Sequence, residues 1–181
     1  MDVNADFTQR VLIDTNGLDW IPSPLAGVDR RMLDRVGDEV ARATSIVRYA
    51  PGSAFSPHTH TGGEEFLVLD GTFSDEHGDY GPGYYVRNPV GSAHTPSSEG
   101  GCTILVKLWQ MDPDDQEFVR VDTANGDWQP TDIDGVETLP LHEYEPERVM
   151  LFRMAPGTST PLHGHAGGEE ILVLEGELAD E

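Results

Sequence analysis

The chain of 181 residues has one cysteine, Cys102, and one lysine, Lys107. A single thiol excludes an intrachain disulfide and a zinc site built from several cysteines. Basic residues are scarce throughout, with 11 Lys and Arg against 33 Asp and Glu, giving a formal charge of -22. A field of that sign repels phosphate backbones and argues against nucleic-acid binding. Two explanations of the acidity stand side by side: solubility, and adaptation to high salt, where screening weakens self-repulsion. No apolar run is long enough to span a bilayer, and the opening Met1-Asp2-Val3-Asn4-Ala5-Asp6 lacks the basic-then-apolar character of a leader. A soluble cytoplasmic protein without a membrane partner is the expectation.

Sustained helical periodicity is also missing. Short stretches rich in branched and aromatic residues appear instead at 45–49, 66–69, 84–87, 103–109 and 149–154, bounded by Gly, Pro, Asp and Ser. That punctuation predicts an all-β fold. Asp29 to Val40 reads equally as helix or strand. The hydrophobic share, 37%, is enough to bury a real core.

The chain repeats itself. Ala50-Pro51-Gly52 recurs as Ala155-Pro156-Gly157, and Phe66-Leu67-Val68-Leu69-Asp70-Gly71 answers Ile171-Leu172-Val173-Leu174-Glu175-Gly176, both at a shift of 105 positions. Asp75-Glu76 answers Asp180-Glu181 at the same shift, whereas Asp14-Thr15, Trp20, Pro22 and Gly27-Val28 match Asp122-Thr123, Trp128, Pro130 and Gly135-Val136 at 108. A duplication accounts for this. Three extra residues of the first copy lie between Val28 and Ala50, and the polar turn from Asp34 to Glu39 is the expected place. The expected division is 1–112 and 113–181, with the second unit stopping where the first has only reached Glu76. Either the second unit is truncated or its missing strands come from elsewhere.

Within each copy stands the same potential ligand pattern, His58-Thr59-His60-Thr61-Gly62-Gly63-Glu64 and His163-Gly164-His165-Ala166-Gly167-Gly168-Glu169. Side chains one residue apart on an extended segment share a face, so each histidine pair can hold one ion. The Gly-Gly step then lets the chain turn and return a carboxylate to the same point. In the first copy the frame is longer: Gly52, five residues, His58, one, His60, three, Glu64, six, Gly71, and later Gly83, five, Pro89, one, Gly91, two, His94.

These spacings resemble the two motifs of the cupin superfamily. Trp20-Ile21-Pro22, Gly62-Gly63-Glu64-Glu65, Asp75-Glu76-His77-Gly78, Arg87-Asn88-Pro89 and Gly101-Cys102-Thr103 are similar to the cupin-like domain of the ChrR anti-sigma factors and its stand-alone relatives, which include diketone-cleaving dioxygenases. The resemblance implies a double-stranded β-helix barrel in tandem, the second barrel incomplete. It implies metal ligands His58, His60, Glu64 and His94 in the first copy. The second copy offers His163, His165 and Glu169, with no fourth ligand before Glu181. Ser98 stands where many cupins carry asparagine. ChrR itself grips its sigma factor with a separate His- and Cys-bearing zinc module, and this sequence, whose first histidine is His58, carries no such module.

Imidazole and carboxylate donors suit a divalent transition metal, zinc or iron first, with manganese, nickel or copper also compatible. The resemblance implies two functions. One is a metal-dependent dioxygenase acting on an enolisable small molecule such as a β-diketone. The other is a non-catalytic zinc-binding sensor that changes a partner's contacts. A homodimer is expected in either case. Glu65 and Glu170 alternate to the opposite face and read as solvated carboxylates, and His77 and His142 read as loop histidines. Arg48 and Arg153 read as surface ion-pair partners or as cations for an anionic substrate. Tyr49, Phe66, Tyr84, Tyr85 and Trp109 read as core or as pocket wall.

Overall fold

The computed structural model of the protein describes residues 1–179, so the expected match of Asp75-Glu76 with Asp180-Glu181 lies outside the described residues. All-β is correct. In chain order the strands of the first part are β1 (Ile21–Pro22), β2 (Val28–Val36), β3 (Arg42–Tyr49), β4 (Ser53–Ala54), β5 (His58–Thr59) and β6 (Glu64–Gly71). They continue as β7 (Phe73–Asp75), β8 (Gly78–Tyr80), β9 (Tyr84–Asn88), β10 (Ala93–His94), β11 (Ser97–Ser98) and β12 (Cys102–Leu108). The rest are β13 (Val119–Asp122), β14 (Gln129–Pro130), β15 (Val136–Tyr144) and β16 (Glu147–Met154). Two 3-10 turns, Thr15–Gly17 and Thr123–Asn125, are each capped by an aspartate, Asp14 and Asp122. No helix among the described residues is long and apolar enough to cross a membrane.

A seven-stranded sheet runs in the order β1-β2-β3-β12-β6-β9-β13, and a four-stranded sheet runs β4-β11-β7-β8. One core joins them: Val28, Val47, Phe66, Val68, Val86, Ile104 and Val106 come from the large sheet, and Phe73 and Tyr80 from the small one. Phe66 and Phe73 meet at 4.5 Å between ring centroids, each 1% exposed, and burying such a ring is worth about 2–3 kcal/mol. The two sheets share this core without their strands hydrogen-bonding into a closed barrel, which corrects the expectation of closure.

The seven-stranded sheet is buried on its other face too. A third sheet, β14-β15-β16, contributes Leu139, Leu141, Val149 and Leu151 against Leu67, Leu105, Tyr85 and Val119. This explains why β6 is buried at every position from Glu64 to Val68. Strands covered on both faces lose the alternation of a half-buried strand.

The small sheet β14-β15-β16 copies the pairing of β1-β2-β3. Ile21 faces Arg30 as Gln129 faces Thr138, and Val28 faces Tyr49 as Val136 faces Met154. Both long strands carry a bulge at the same place, between Met32 and Asp34 and between Pro140 and His142. An inserted residue switches the faces of the residues after it, which is why 29–40 shows no clean period in the sequence. The strand ends at Val36, and the β2–β3 turn spans 37–41 where the β15–β16 turn spans only 145–146. Past Met154 the strand pairing of the first copy is not repeated: no strand forms over 155–179, and Ile171, Val173 and Leu174 are about half exposed.

Candidate metal centre

Strands β5 and β10 pair antiparallel with His58 directly opposite His94, and the His60 amide donates to the Ser92 carbonyl at 2.8 Å. Three imidazoles from two sequence motifs therefore meet. Their ring centroids lie 4.9 Å (His58–His60), 4.9 Å (His58–His94) and 4.6 Å (His60–His94) apart. One nitrogen from each falls within 4.8 Å of the others, the one such cluster of three or more potential ligands among the described residues. Glu64, first residue of β6, brings Oε2 to 3.5 Å from His60 Nε2 and 3.7 Å from His94 Nε2.

The His60 contact is not an ordinary salt bridge. Burial lowers the pKa of His60 and disfavours its charged form. His60 Nε2 and His94 Nε2 are both buried with no hydrogen-bond partner. Leaving such an atom unpaired costs about 1–3 kcal/mol, and here two of them converge beside a carboxylate. A divalent cation is the species that would satisfy both lone pairs and the carboxylate at once, so the donor set fits a metal.

The outer atoms of the ligands are held as well. Asp75 Oδ2 lies 3.2 Å from His94 Nδ1, and because a carboxylate only accepts there, Nδ1 carries the proton and Nε2 keeps its lone pair for the site. Burial would raise the pKa of Asp75, but hydrogen bonds from His94, the His77 amide and Tyr80 outweigh it, so the carboxyl stays ionised. The opposite balance holds at His94, where burial alone would lower the pKa and the Asp75 bond with the Glu64 charge raises it. His58 Nδ1 sits 3.3 Å from the Ser56 carbonyl, and Asn88 Nδ2 donates to Glu64 Oε2 at 3.1 Å.

The glycine turn between His60 and Glu64 is enclosed. A Cβ on Gly62 would stand 2.2 Å from the Trp109 ring, and Gly63, at φ 75, lies under Met111. Trp109 ends β12 in a left-handed conformation, φ 58, so that strand stops one residue earlier than the sequence suggested. Among the other aromatics, Phe66 and Tyr85 are core residues and Tyr49 and Tyr84 pack against the core.

A sequence profile of the ChrR cupin-like domain matches residues 8–112 and again 116–181. The chain belongs to the ChrR cupin-like family. Among solved structures, a proposed dioxygenase from Nostoc punctiforme is 18% identical with a TM-score of 0.66, covering 80% of this cupin-like chain and 60% of its own. That likeness shows the cupin fold. An acetylacetone dioxygenase from Acinetobacter johnsonii is 20% identical at TM-score 0.46, covering 64% of this chain and 86% of its own. Rhodobacter sphaeroides ChrR, solved in complex with SigE, is 29% identical at TM-score 0.42, covering 57% and 55%. The chain thus spans little more than half of the ChrR structure it matches and three fifths of the Nostoc one. No curated protein matches the sequence.

In the second copy of this cupin-like chain, His163 and His165 keep their rings 4.9 Å apart, and His165 Nε2 lies 3.4 Å from Glu169. All three are exposed, and no third imidazole joins them among the described residues. Glu170 is solvated in part, as expected, and pairs with Lys107 at 2.5 Å.

Two expectations fail. Glu65 does face away from Glu64, but the hairpin β15–β16 covers that face, so Glu65 is buried and accepts from Tyr85 Oη at 2.5 Å and Arg87 at 2.9 Å. His142 is not a loop residue: it is buried on β15, with Nε2 2.7 Å from Asp115. Arg87, 1% exposed, also reaches Asp115 at 2.8 Å and Glu147 at 2.9 Å. This network joins the back of the sheet to the hairpin. His77 is an exposed turn residue, as expected. Arg48 and Arg153 are exposed ion-pair partners of Asp29 and Glu137, each stacked on a tryptophan, Trp20 and Trp128.

Proposed function

We propose that the first copy is a metal site in which His58, His60, His94 and Glu64 hold one divalent transition ion, and that the chain is a dioxygenase for an enolisable small molecule of the β-diketone class. The observation that carries the metal reading is the pair of buried, unpartnered Nε2 atoms aimed with a carboxylate at one point. The exposure of His58 supports the catalytic reading, because the site opens to solvent on that side. A bound redox-active ion supplies Lewis acidity toward an enolate and access to dioxygen chemistry. The protein's own part is to bind and orient. The Asp75 contact fixes the His94 tautomer, and Asn88 holds Glu64 Oε2 beside the two imidazole Nε2 atoms, from where the carboxylate would complete the ligand set or take a proton from the substrate carbon acid. Trp109 and Met111, over the glycine turn, keep the ligand loop in one conformation. In the second copy, His163, His165 and Glu169 make at most a weak exposed site of three donors.

The test is elemental analysis of protein purified without an affinity metal column, then oxygen uptake with an iron-loaded sample across β-diketones and flavonoids. About one metal per chain and uptake with a diketone are expected. Absence of bound metal sinks the site. One firmly held zinc with no uptake under any loading replaces the enzyme with the zinc-binding sensor.

A further inference from the structure

The supports of His94 and Glu64 are not separate. Arg120 Nη2 donates to Asn88 Oδ1 at 2.7 Å, and Arg120 Nε donates to Tyr80 Oη at 3.1 Å. Tyr80 Oη donates to Asp75 Oδ1 at 3.2 Å, and Asp75 holds His94 on its other oxygen. The hydrogen bonds therefore form an arc, Glu64–Asn88–Arg120–Tyr80–Asp75–His94, whose two ends face each other across the site at 3.7 Å. Arg120 also donates from Nη1 to the Arg87 and Val119 carbonyls, at 2.9 and 2.8 Å, which fixes its fork.

We infer that Arg120 is the positioning residue of the metal site, setting the direction of every hydrogen bond that orients His94 and Glu64. This inference rests on the metal reading above. Its physical basis is that guanidinium only donates and does not lose its proton. Donation to Asn88 Oδ1 obliges the amide to turn Nδ2 toward Glu64, which then presents itself as an acceptor. Donation to Tyr80 Oη leaves the hydroxyl proton for Asp75, so Asp75 stays an acceptor for His94 Nδ1–H and the Nε2 lone pair points at the ion. Without the arginine, the Asn88 amide can flip and the Tyr80 hydroxyl can rotate. Both ligand ends then lose their preferred state.

Arg120 comes from outside the segment that carries the ligands. It lies on β13, in the second stretch matched by the family profile, and reaches the site because β13 pairs with β9, Arg120 opposite Val86. At the shift of 108 its counterpart in the first copy is Leu12, which is 90% exposed, so the repeat does not require an arginine there. On this inference the two units are chemically dependent: the first cannot hold its ligands properly without a residue of the second.

The experiment is Co(II) titration of the metal-free full chain, read by the visible absorption of the bound ion and by competition with a chelator. Arg120→Gln is expected to bind about 10–100-fold more weakly with a shifted Co(II) spectrum. Arg120→Lys should fail to restore either readout, because one ammonium cannot fork to both arms. Tyr80→Phe, which cuts one arm only, should give a smaller loss and a spectral shift, while Arg148→Gln, an exposed arginine of the same unit, should match the wild type. Wild-type affinity and spectrum in folded Arg120→Gln overturn the inference. If that variant does not fold by circular dichroism, Tyr80→Phe decides, and an unchanged affinity and spectrum there overturn it equally. Failure of the wild type to bind Co(II) at all overturns the metal reading, and this inference with it.

Discussion

The two copies of the His-X-His-X3-Glu segment have nearly the same local shape and entirely different surroundings. Ring separations are 4.9 Å in both, the His-to-Glu approach is 3.5 Å in one and 3.4 Å in the other, and the first histidine of each leans on the carbonyl two residues before it. Yet the side chains of His60 and Glu64 are 5% and 9% exposed, against 44% and 46% for His165 and Glu169. The motif thus dictates a conformation, whereas the site is made by what packs around it. His94, Asp75, Asn88 and Trp109 do that for the first copy, and nothing among the described residues does it for the second.

The largest effect should come from breaking each pair in turn. His60→Ala is expected to remove the bound metal, taking content from about one per chain to near zero, while His165→Ala leaves it unchanged. Elemental analysis of the two variants measures this, and equal losses would show that the copies act as one site.

Next in size is the polar cluster that joins the β15–β16 hairpin to the large sheet. Asp115 is buried, and burial would raise its pKa, but bonds from Arg87 and His142 hold it below the usual carboxylate range. A group depressed in the folded state contributes stability above its unfolded value, near 3.9, and loses it as pH falls through the folded value. Asp115→Asn should therefore cost about 3 kcal/mol at pH 7, and the difference from wild type should shrink as the pH falls below about 4. Urea unfolding across that range checks the sign. A deficit that grows in acid would contradict the assignment.

Smallest is the glycine comparison. Gly62→Ala should destabilise by about 1–3 kcal/mol, since the new Cβ meets the Trp109 ring, whereas Gly167→Ala meets nothing within 4 Å and should be neutral or slightly stabilising. Thermal unfolding of the pair would separate them, and equal shifts would mean that Trp109 does not seal the loop.

Strand positions and the ligand spacing were legible because both are local: branched runs between turn residues, and histidines one residue apart. Direction was legible too, as Glu65 does face away from Glu64. The cover on that far side was not, because the hairpin that forms it begins about seventy residues later in the sequence, and so a buried ion-pair partner looked like a solvated one. His142 was misread for the same reason, compounded by the bulge beside it, which hides its face. Asp75 and Asn88 stood inside segments already singled out, though nothing in the sequence marked their roles. Arg120 gave no signal, since only the pairing of β13 with β9 brings it to the ligands.

In β6 and β9, Glu64 sits opposite Asn88 and Glu65 opposite Arg87, the first pair on the face of the histidine cluster and the second on the face that the β15–β16 hairpin covers. Sliding one strand by a single residue would turn each carboxylate to the wrong side and drive Phe66 and Val68 out of the core. A mispaired chain would then lose the approach of Glu64 to His60 and His94, the Arg87 network and the central packing together. One register therefore serves all three features at once, and the pairing of β6 with β9 is the common hinge on which they depend.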